Sequence, residues 1–222
     1  MGALSYKPSQ ELQIELANLP LDALAKECSK VFDAEHSEHL DELFRLGGSS
    51  GGARPKINYV LDGEEWLVKF PSSFDRRGIG QEEYDYSLCA KRCKIPMAET
   101  KLLQSAICEG YFATKRFDRS DGKRIHMISA GGLLETSHRI PNLDYNILMQ
   151  LTMKVTMSYK EIEKLFRLMC FNIFSHNRDD HSKNFSYLYK NGAWQLAPAY
   201  DLTYSNSLGG EHATTINGNG VN

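Results

Sequence analysis

The run Gly47-Gly48-Ser49-Ser50-Gly51-Gly52 separates two stretches of chain whose patterning calls for different secondary structure. Ahead of it, residues 8–46 are rich in Glu, Leu, Ala and Lys and hold no glycine, a composition that favours helix. Their apolar residues fall as Leu12, Leu16 and Leu19 before Pro20, as Leu21, Leu24, Cys28, Val31 and Phe32 after it, and then as Leu40, Leu43, Phe44 and Leu46. That predicts three short helices, with Pro20 opening the second. After the glycine run the pattern changes to hairpins. Residues 57–61 and 66–70 flank Asp62-Gly63, a short-hairpin signal, and residues 100–104 and 111–117 read as two further strands joined through Glu109-Gly110.

Residues 81–93 read as a helix closed by Pro96, and residues 143–152 as another. Further on, Ile162, Leu165, Phe166, Met169, Cys170, Ile173 and Phe174 recur at the spacing of one helix face, which predicts a core-facing helix. A second hairpin, residues 185–189 and 194–197, turns at Asn191-Gly192. A strand-rich part therefore gives way to a helix-rich one, and no internal repeat is present.

Bulk properties narrow the function classes. The 222 residues carry 26 Lys+Arg against 28 Asp+Glu, a net charge of −2, so charge alone implies no binding to nucleic acid. No apolar run reaches the ~18 residues of a membrane helix. The start lacks the basic and apolar regions of a signal peptide, and Tyr6 stands where a myristoylation signal has Ser or Thr. A cytoplasmic protein is expected. The five cysteines (Cys28, Cys89, Cys93, Cys108, Cys170) lack the spacing of zinc or redox sites and read as reduced thiols, and His36 with His39 as a solvated helix face.

Several segments carry chemistry. Backbone N–H groups in a glycine-rich turn ahead of a strand can cradle phosphate oxygens. The turn is no Walker A loop, because Ala53-Arg54 stands where Lys-Ser/Thr would follow Gly47-x4-Gly52. A flexible linker is the plain alternative. Lys69 ends the apolar run Trp66-Leu67-Val68, a place from which a strand lysine reaches nucleotide phosphates in kinases. Glu82 or Glu83 on the following helix is available to pair with it, though carboxylates also suit a solvated helix N-terminus. Arg178-Asp179-x4-Asn184 has the spacing of a kinase catalytic loop, in which the Asp accepts the proton of the substrate hydroxyl and the Asn holds Mg²⁺. Asp201, closing Pro198-Ala199-Tyr200-Asp201, offers a further oxygen ligand. Each part alone is an ordinary polar loop. The ordered set of glycine loop, strand Lys, helix Glu, Asp-x4-Asn and later Asp points to phosphoryl transfer.

Taken together, the stretches 47–56, 66–71, Glu83-Tyr84, Lys115-Arg116-Phe117-Asp118-Arg119, 179–185 and 198–202 resemble the HipA-like serine/threonine kinases, toxins of bacterial toxin–antitoxin modules. The resemblance implies an α+β, bilobal, protein-kinase-like fold. A helical segment over residues 1–46 would precede a strand-rich N-lobe over 47–118 and a helical C-lobe over 119–222. It also implies roles. Lys69, with Glu83, would hold ATP phosphates under the loop residues Gly51, Gly52 and Ala53. Asp179 would be the catalytic base, and Asn184 and Asp201 would bind Mg²⁺. Lys115 to Phe117 would lie at the hinge against adenine, with His181 near the nucleotide. Ser49, with Ser50 as the alternative, would be autophosphorylated, which shuts the kinase off by drawing the loop from the site. Known members phosphorylate an aminoacyl-tRNA synthetase. A DNA-binding antitoxin is the implied partner, with no direct nucleic-acid or membrane contact by this chain.

Three departures accompany the resemblance. Asp180 stands where the best-known form of the motif has Gly, and is expected to add a carboxylate near the metals. Only helical sequence precedes the loop where full-length members have a small β-rich subdomain, as in split systems whose missing part is a separate small protein. The sequence stops at Gly218-Asn219-Gly220-Val221-Asn222, where relatives continue into helices. Two readings from other classes stand beside the kinase toxin. A catalytically dead binding module would keep the fold without turnover. A small-molecule phosphotransferase would phosphorylate free aminoglycosides or sugars and no protein.

Overall fold

The computed structural model describes residues 2–4, 19–32, 43, 46–47, 54–120, 122–137, 143–206 and 208–221. The chain forms two compact units, the first mainly from residues 5–85 and 99–116, the second from 2–4, 86–98 and 117–222. It passes between them after Asp85, after Ala98 and after Arg116.

In the first unit, α1 (Leu21–Phe32) begins directly after Pro20, whose carbonyl accepts from the Leu24 N–H at 3.1 Å. Its Leu24, Ala25 and Cys28 are buried with Leu43, Leu46, Ile57, Trp66, Val68, Phe70, Tyr111 and Ala113. The other two predicted N-terminal helices fall almost wholly outside the described residues. β1 (Lys56–Leu61) and β2 (Glu64–Lys69) pair antiparallel with Ile57 opposite Val68. Asp62 and Gly63 both take positive φ, 54° and 76°, the two-residue turn whose twist matches the strands it joins. α2 (Ile79–Arg92), β3 (Thr100–Leu103) and β4 (Tyr111–Lys115) follow, and the sheet runs β1-β2-β4-β3. Gly80, in the first turn of α2, lies against the start of β4: a Cβ there would stand 2.2 Å from the Gly110 carbonyl oxygen. Close approach of helix to strand therefore requires glycine.

The second unit, which also holds α2 beyond Asp85, continues with the ribbon β5 (Arg119–Ser120) and β6 (Lys123–Arg124), then β7 (His126–Ser129) and the short α3 (Ala130–Leu133). β8 (Leu143–Asp144), α4 (Tyr145–Thr156) and α5 (Tyr159–Phe174) come next, then β9 (Ser186–Lys190) and β10 (Ala193–Leu196), whose sheet runs β10-β9-β7. Asn191 and Gly192 repeat the hairpin turn of the first unit, at φ 54° and 79°. β11 (Thr214–Thr215) pairs in parallel with β8.

Two sequence expectations change here. The helix predicted from residue 143 starts at Tyr145, because Leu143 and Asp144 are taken by β11, and the Asp144 carboxylate caps α4 by accepting from the Asn146 N–H at 2.8 Å. The apolar stripe of α5 is only partly buried. Leu165 and Met169 are inside, but Phe166 is 50% exposed and Phe174 84%, while Glu161, Leu168, Phe171 and Asn172 are buried instead. Polar contacts turn the helix. Glu161 accepts from the Leu196 N–H at 3.0 Å, and Asn172 bonds to Tyr145 and Asn177 in the interior. Hydropathy periodicity does not register such partners.

All five cysteines are free thiols. No helix of the described residues is long and apolar enough to cross a membrane.

Candidate active site

In the first unit the strand lysine and the helix glutamate meet. Lys69 ends β2 beside buried Val68 and Phe70, and its Nζ lies 2.5 Å from Glu83 Oε1 with both side chains almost wholly buried. The choice between the two glutamates goes to Glu83, because Glu82 turns outward to Arg76 at 2.7 Å. Arg54, two residues ahead of β1, adds a second cation. Its Nη1 is 3.6 Å from Glu83 Oε2 and its Nε 3.3 Å from Asp75 Oδ2. Asp75 is itself held by the Ser72 N–H and hydroxyl, at 2.9 and 2.7 Å. The Lys69 ammonium also stands 5.7 Å from the centroid of the Phe112 ring. Lys115 ion-pairs through Nζ with Glu64 at 2.9 Å, a part-exposed contact along the sheet. The loop residues Ser49, Ser50, Gly51, Gly52 and Ala53 lie outside the described residues.

In the second unit the segment between α5 and β9 carries Asp179, His181 and Asn184. Asp179 is exposed, and the Nε2 of His181 lies 3.7 Å from its Oδ1. Asn184 donates its side-chain N–H to the Asp179 carbonyl at 2.8 Å. The amide nitrogen is thereby spent on the loop itself, and the oxygen is the atom that remains for a ligand. Asp201 takes φ +59°, a left-handed conformation uncommon outside glycine that Asp tolerates better than most residues. Tyr200, its neighbour, ties that segment to the loop that carries Asp179. The Tyr200 hydroxyl donates to the Lys183 carbonyl at 2.5 Å and lies 2.6 Å from Ser186 Oγ. The Tyr200 ring packs against Phe117, centroids 5.6 Å apart. Burial, with the Asp201 charge adding to it, pushes the Tyr200 phenol well above its ordinary value, so the group stays a donor. Asn184 and Asp201 offer oxygen only, which suits Mg²⁺ and not a thiolate- or imidazole-seeking metal. Among the described residues no cluster of three or more His, Cys, Asp or Glu is placed to hold a metal.

Asp180 does not add a ligand there. Its carboxylate is buried and fully engaged, accepting from the Tyr145 hydroxyl at 2.8 Å, His212 Nδ1 at 3.0 Å and the Thr214 N–H at 3.1 Å. The side chain points to the interior because three donors wait for it inside, whereas an exposed carboxylate beside Asp179 would only add repulsion. None of those donors belongs to a local motif, and sequence reasoning missed them. Tyr200 and Arg54 carry no motif signal of their own either, although they stand inside the 198–202 and 47–56 stretches.

Comparison with known proteins places the chain in one family and finds solved structures of similar fold. Residues 48–222 match the sequence model of the HipA-like C-terminal domain. No curated protein sequence matches the chain. Among solved structures, it is similar to HipA from Shewanella oneidensis MR-1, in a complex of the toxin–antitoxin system with HipB and operator DNA. The TM-score is 0.61 at 17% identity, over 80% of this chain and 49% of that one. It is also similar to the Helicobacter pylori proinflammatory kinase CtkA, with a TM-score of 0.54 at 21% identity, over 69% of this chain and 55% of that one. The chain thus spans about half the length of either, and at these identities the likeness establishes a shared kinase-like α+β fold.

Proposed function

The chain belongs to the HipA-like C-terminal domain family, and from that premise we propose that it is an ATP- and Mg²⁺-dependent serine/threonine protein kinase acting as the toxin of a toxin–antitoxin pair. The observation that carries the reading is the buried Lys69–Glu83 pair. A lysine on a sheet strand, aimed by a helix glutamate and following a glycine-rich run in the sequence, is what a kinase uses to hold nucleotide phosphates.

In this reading Lys69, steered by Glu83, takes the phosphates, with Gly51, Gly52 and Ala53 over them. Lys115 and Phe117 flank adenine, and His181 lies by the nucleotide. Asn184 and Asp201 hold Mg²⁺, which when bound neutralises phosphate charge. Asp179 accepts the proton as the substrate hydroxyl attacks the γ-phosphorus and the bond to the leaving ADP oxygen breaks. Ser49 or Ser50 is the internal acceptor, and an aminoacyl-tRNA synthetase the external one. A DNA-binding antitoxin is the expected partner, as HipB accompanies the Shewanella protein, and a separate small N-subdomain-like protein is a second one in this reading. Asp180 gives no support to a catalytically dead module, since its carboxylate is held in the interior.

Mass spectrometry after incubation with ATP and Mg²⁺ tests the reading. The expected result is a phosphate on Ser49 or Ser50 that Asp179→Ala lacks. A chain that binds ATP yet never transfers phosphate, to itself or to an added protein, overturns it.

A further inference from the structure

The residues on either side of Asp179 are held by one distant segment. Thr214 donates its N–H to the Asp180 carboxylate and its hydroxyl to the Asp180 carbonyl, while the Ala213 N–H donates to the Arg178 carbonyl at 3.1 Å. His212 adds its Nδ1 contact to Asp180 at 3.0 Å. Residues 212–214 therefore grip positions 178 and 180, and the Asp179 carbonyl between them is taken by Asn184. Asp179 itself makes no comparable entry into the interior; its side chain stays exposed.

The grip extends into both helices of the second unit. The Tyr145 hydroxyl at the start of α4 donates to Asp180, and accepts from Asn172 Nδ2 of α5 at 3.0 Å. Asn172 Oδ1 in turn accepts from Asn177 Nδ2 at 2.9 Å, and its carbonyl accepts from the Asn177 N–H at 2.9 Å. α4, α5 and the segment leading into β11 thus converge on the single residue next to the proposed base. A buried carboxylate is costly unless its lone pairs are filled. Here three donors fill them, so rotating or withdrawing Asp180 would strand several polar groups at once.

We infer that Asp180, with His212 as one of its two side-chain donors, is a positioning residue that fixes the aim of the Asp179 carboxylate for proton abstraction. The inference rests on the phosphoryl-transfer reading of the same loop. Proton transfer needs the base within hydrogen-bond reach of the hydroxyl, and a displacement of about 1 Å is enough to lower the rate about 100-fold.

The test uses the full chain and ATP turnover with Mg²⁺, each rate divided by the number of molecules that bind a fluorescent ATP analogue. Asp180→Asn and His212→Leu are expected to lower kcat about 10- to 100-fold, with KM for ATP within about two-fold of wild type. His212→Asn, which keeps an N–H donor close to the place of Nδ1, is expected to recover most of the loss. The double variant Asp180→Asn/His212→Leu should be no slower than the worse single one, since the two act as a unit. Should Asp180→Asn not fold, the contrast between His212→Leu and His212→Asn decides alone. A wild-type kcat per binding-competent molecule in Asp180→Asn or His212→Leu, with only the folded fraction reduced, overturns the positioning role. Equal kcat losses in His212→Leu and His212→Asn overturn it too. A wild-type chain that binds the analogue without turning ATP over overturns the phosphoryl-transfer reading instead, before any variant is made.

Discussion

Lys69 Nζ and Glu83 Oε1 stand 2.5 Å apart, with side chains only 9% and 3% exposed, so each offsets the cost of burying the other. Arg54 approaches the same carboxylate on its other oxygen at 3.6 Å. Removing Lys69 alone, as Lys69→Met, is expected to destabilise the first unit by about 3 kcal/mol. Pairing it with Glu83→Leu should return much of that stability while nucleotide binding stays lost. Chemical denaturation and titration with a fluorescent ATP analogue read the two effects separately. Nucleotide affinity that survives in the double variant would remove Lys69 from the site.

Asp179 and Asp201 can be changed with little harm to the fold. Asp179 is exposed, so Asp179→Ala should shift stability by no more than about 0.5 kcal/mol while phosphoryl transfer is abolished. Asp201 needs more care, because it sits at φ +59°. Asp201→Asn suits that conformation, and is expected to keep the melting temperature but raise the Mg²⁺ concentration needed for half-maximal turnover. An unchanged Mg²⁺ dependence would show that Asp201 is not a ligand.

Gly80 should not tolerate even a methyl group. The Cβ of Gly80→Ala would meet the Gly110 carbonyl oxygen at 2.2 Å and the Phe112 nitrogen at 3.1 Å, backbone atoms that cannot swing aside. The expected loss is about 1–3 kcal/mol. Because Glu83 lies one helical turn further along α2, ATP affinity should fall with it. Melting curves and nucleotide titration of this variant test both points.

Each unit carries a carboxylate whose hydrogen bonds make stability depend on acid. In the first, the Ala106 N–H and the Ser105 and Tyr111 hydroxyls hold Asp22 below its ordinary value of 3.8. In the second, burial raises Asp144, but the Gly218 N–H and Thr215 hydroxyl, with the Asn146 N–H, outweigh that and hold it low. A depressed folded pKa adds stability that is present above the unfolded value, near 4, and is lost as pH falls through the folded one. Unfolding midpoints should therefore drop below about pH 4. Asp22→Asn should lower the midpoint at pH 7 and flatten the decline in acid.

The thiols should differ sharply in reactivity. Burial, reinforced by Glu27, pushes Cys28 up to about 11, whereas Cys89 and Cys93 are exposed on or just after α2. Iodoacetamide at neutral pH should label Cys89 and Cys93 well before Cys28, which reacts only as the first unit opens. Peptide mass spectrometry over a time course gives the order directly.

What the amino-acid sequence determined by itself was local. Asp62-Gly63 and Asn191-Gly192 announce tight hairpins because two successive positive φ angles suit those residues and few others. Asp179-x4-Asn184 was readable as a motif because a single loop carries both residues, and Asn184 reaches only as far as the Asp179 carbonyl. The tertiary structure decided what joins residues far apart in the chain. Glu83 rather than Glu82 takes Lys69, since the way α2 packs, with Gly80 against Gly110, turns one carboxylate inward and the other to Arg76. α5 buries Glu161 and Asn172 while leaving Phe174 exposed, because a buried polar group with partners is stable where hydropathy alone would place an apolar one. Asp180 reads as one more acidic residue in a polar loop until His212 and Thr214, more than 30 positions away, arrive beside it. Hydrogen bonds have a range of about 3 Å in space and none along the sequence, so only folding reveals which donors a carboxylate will find.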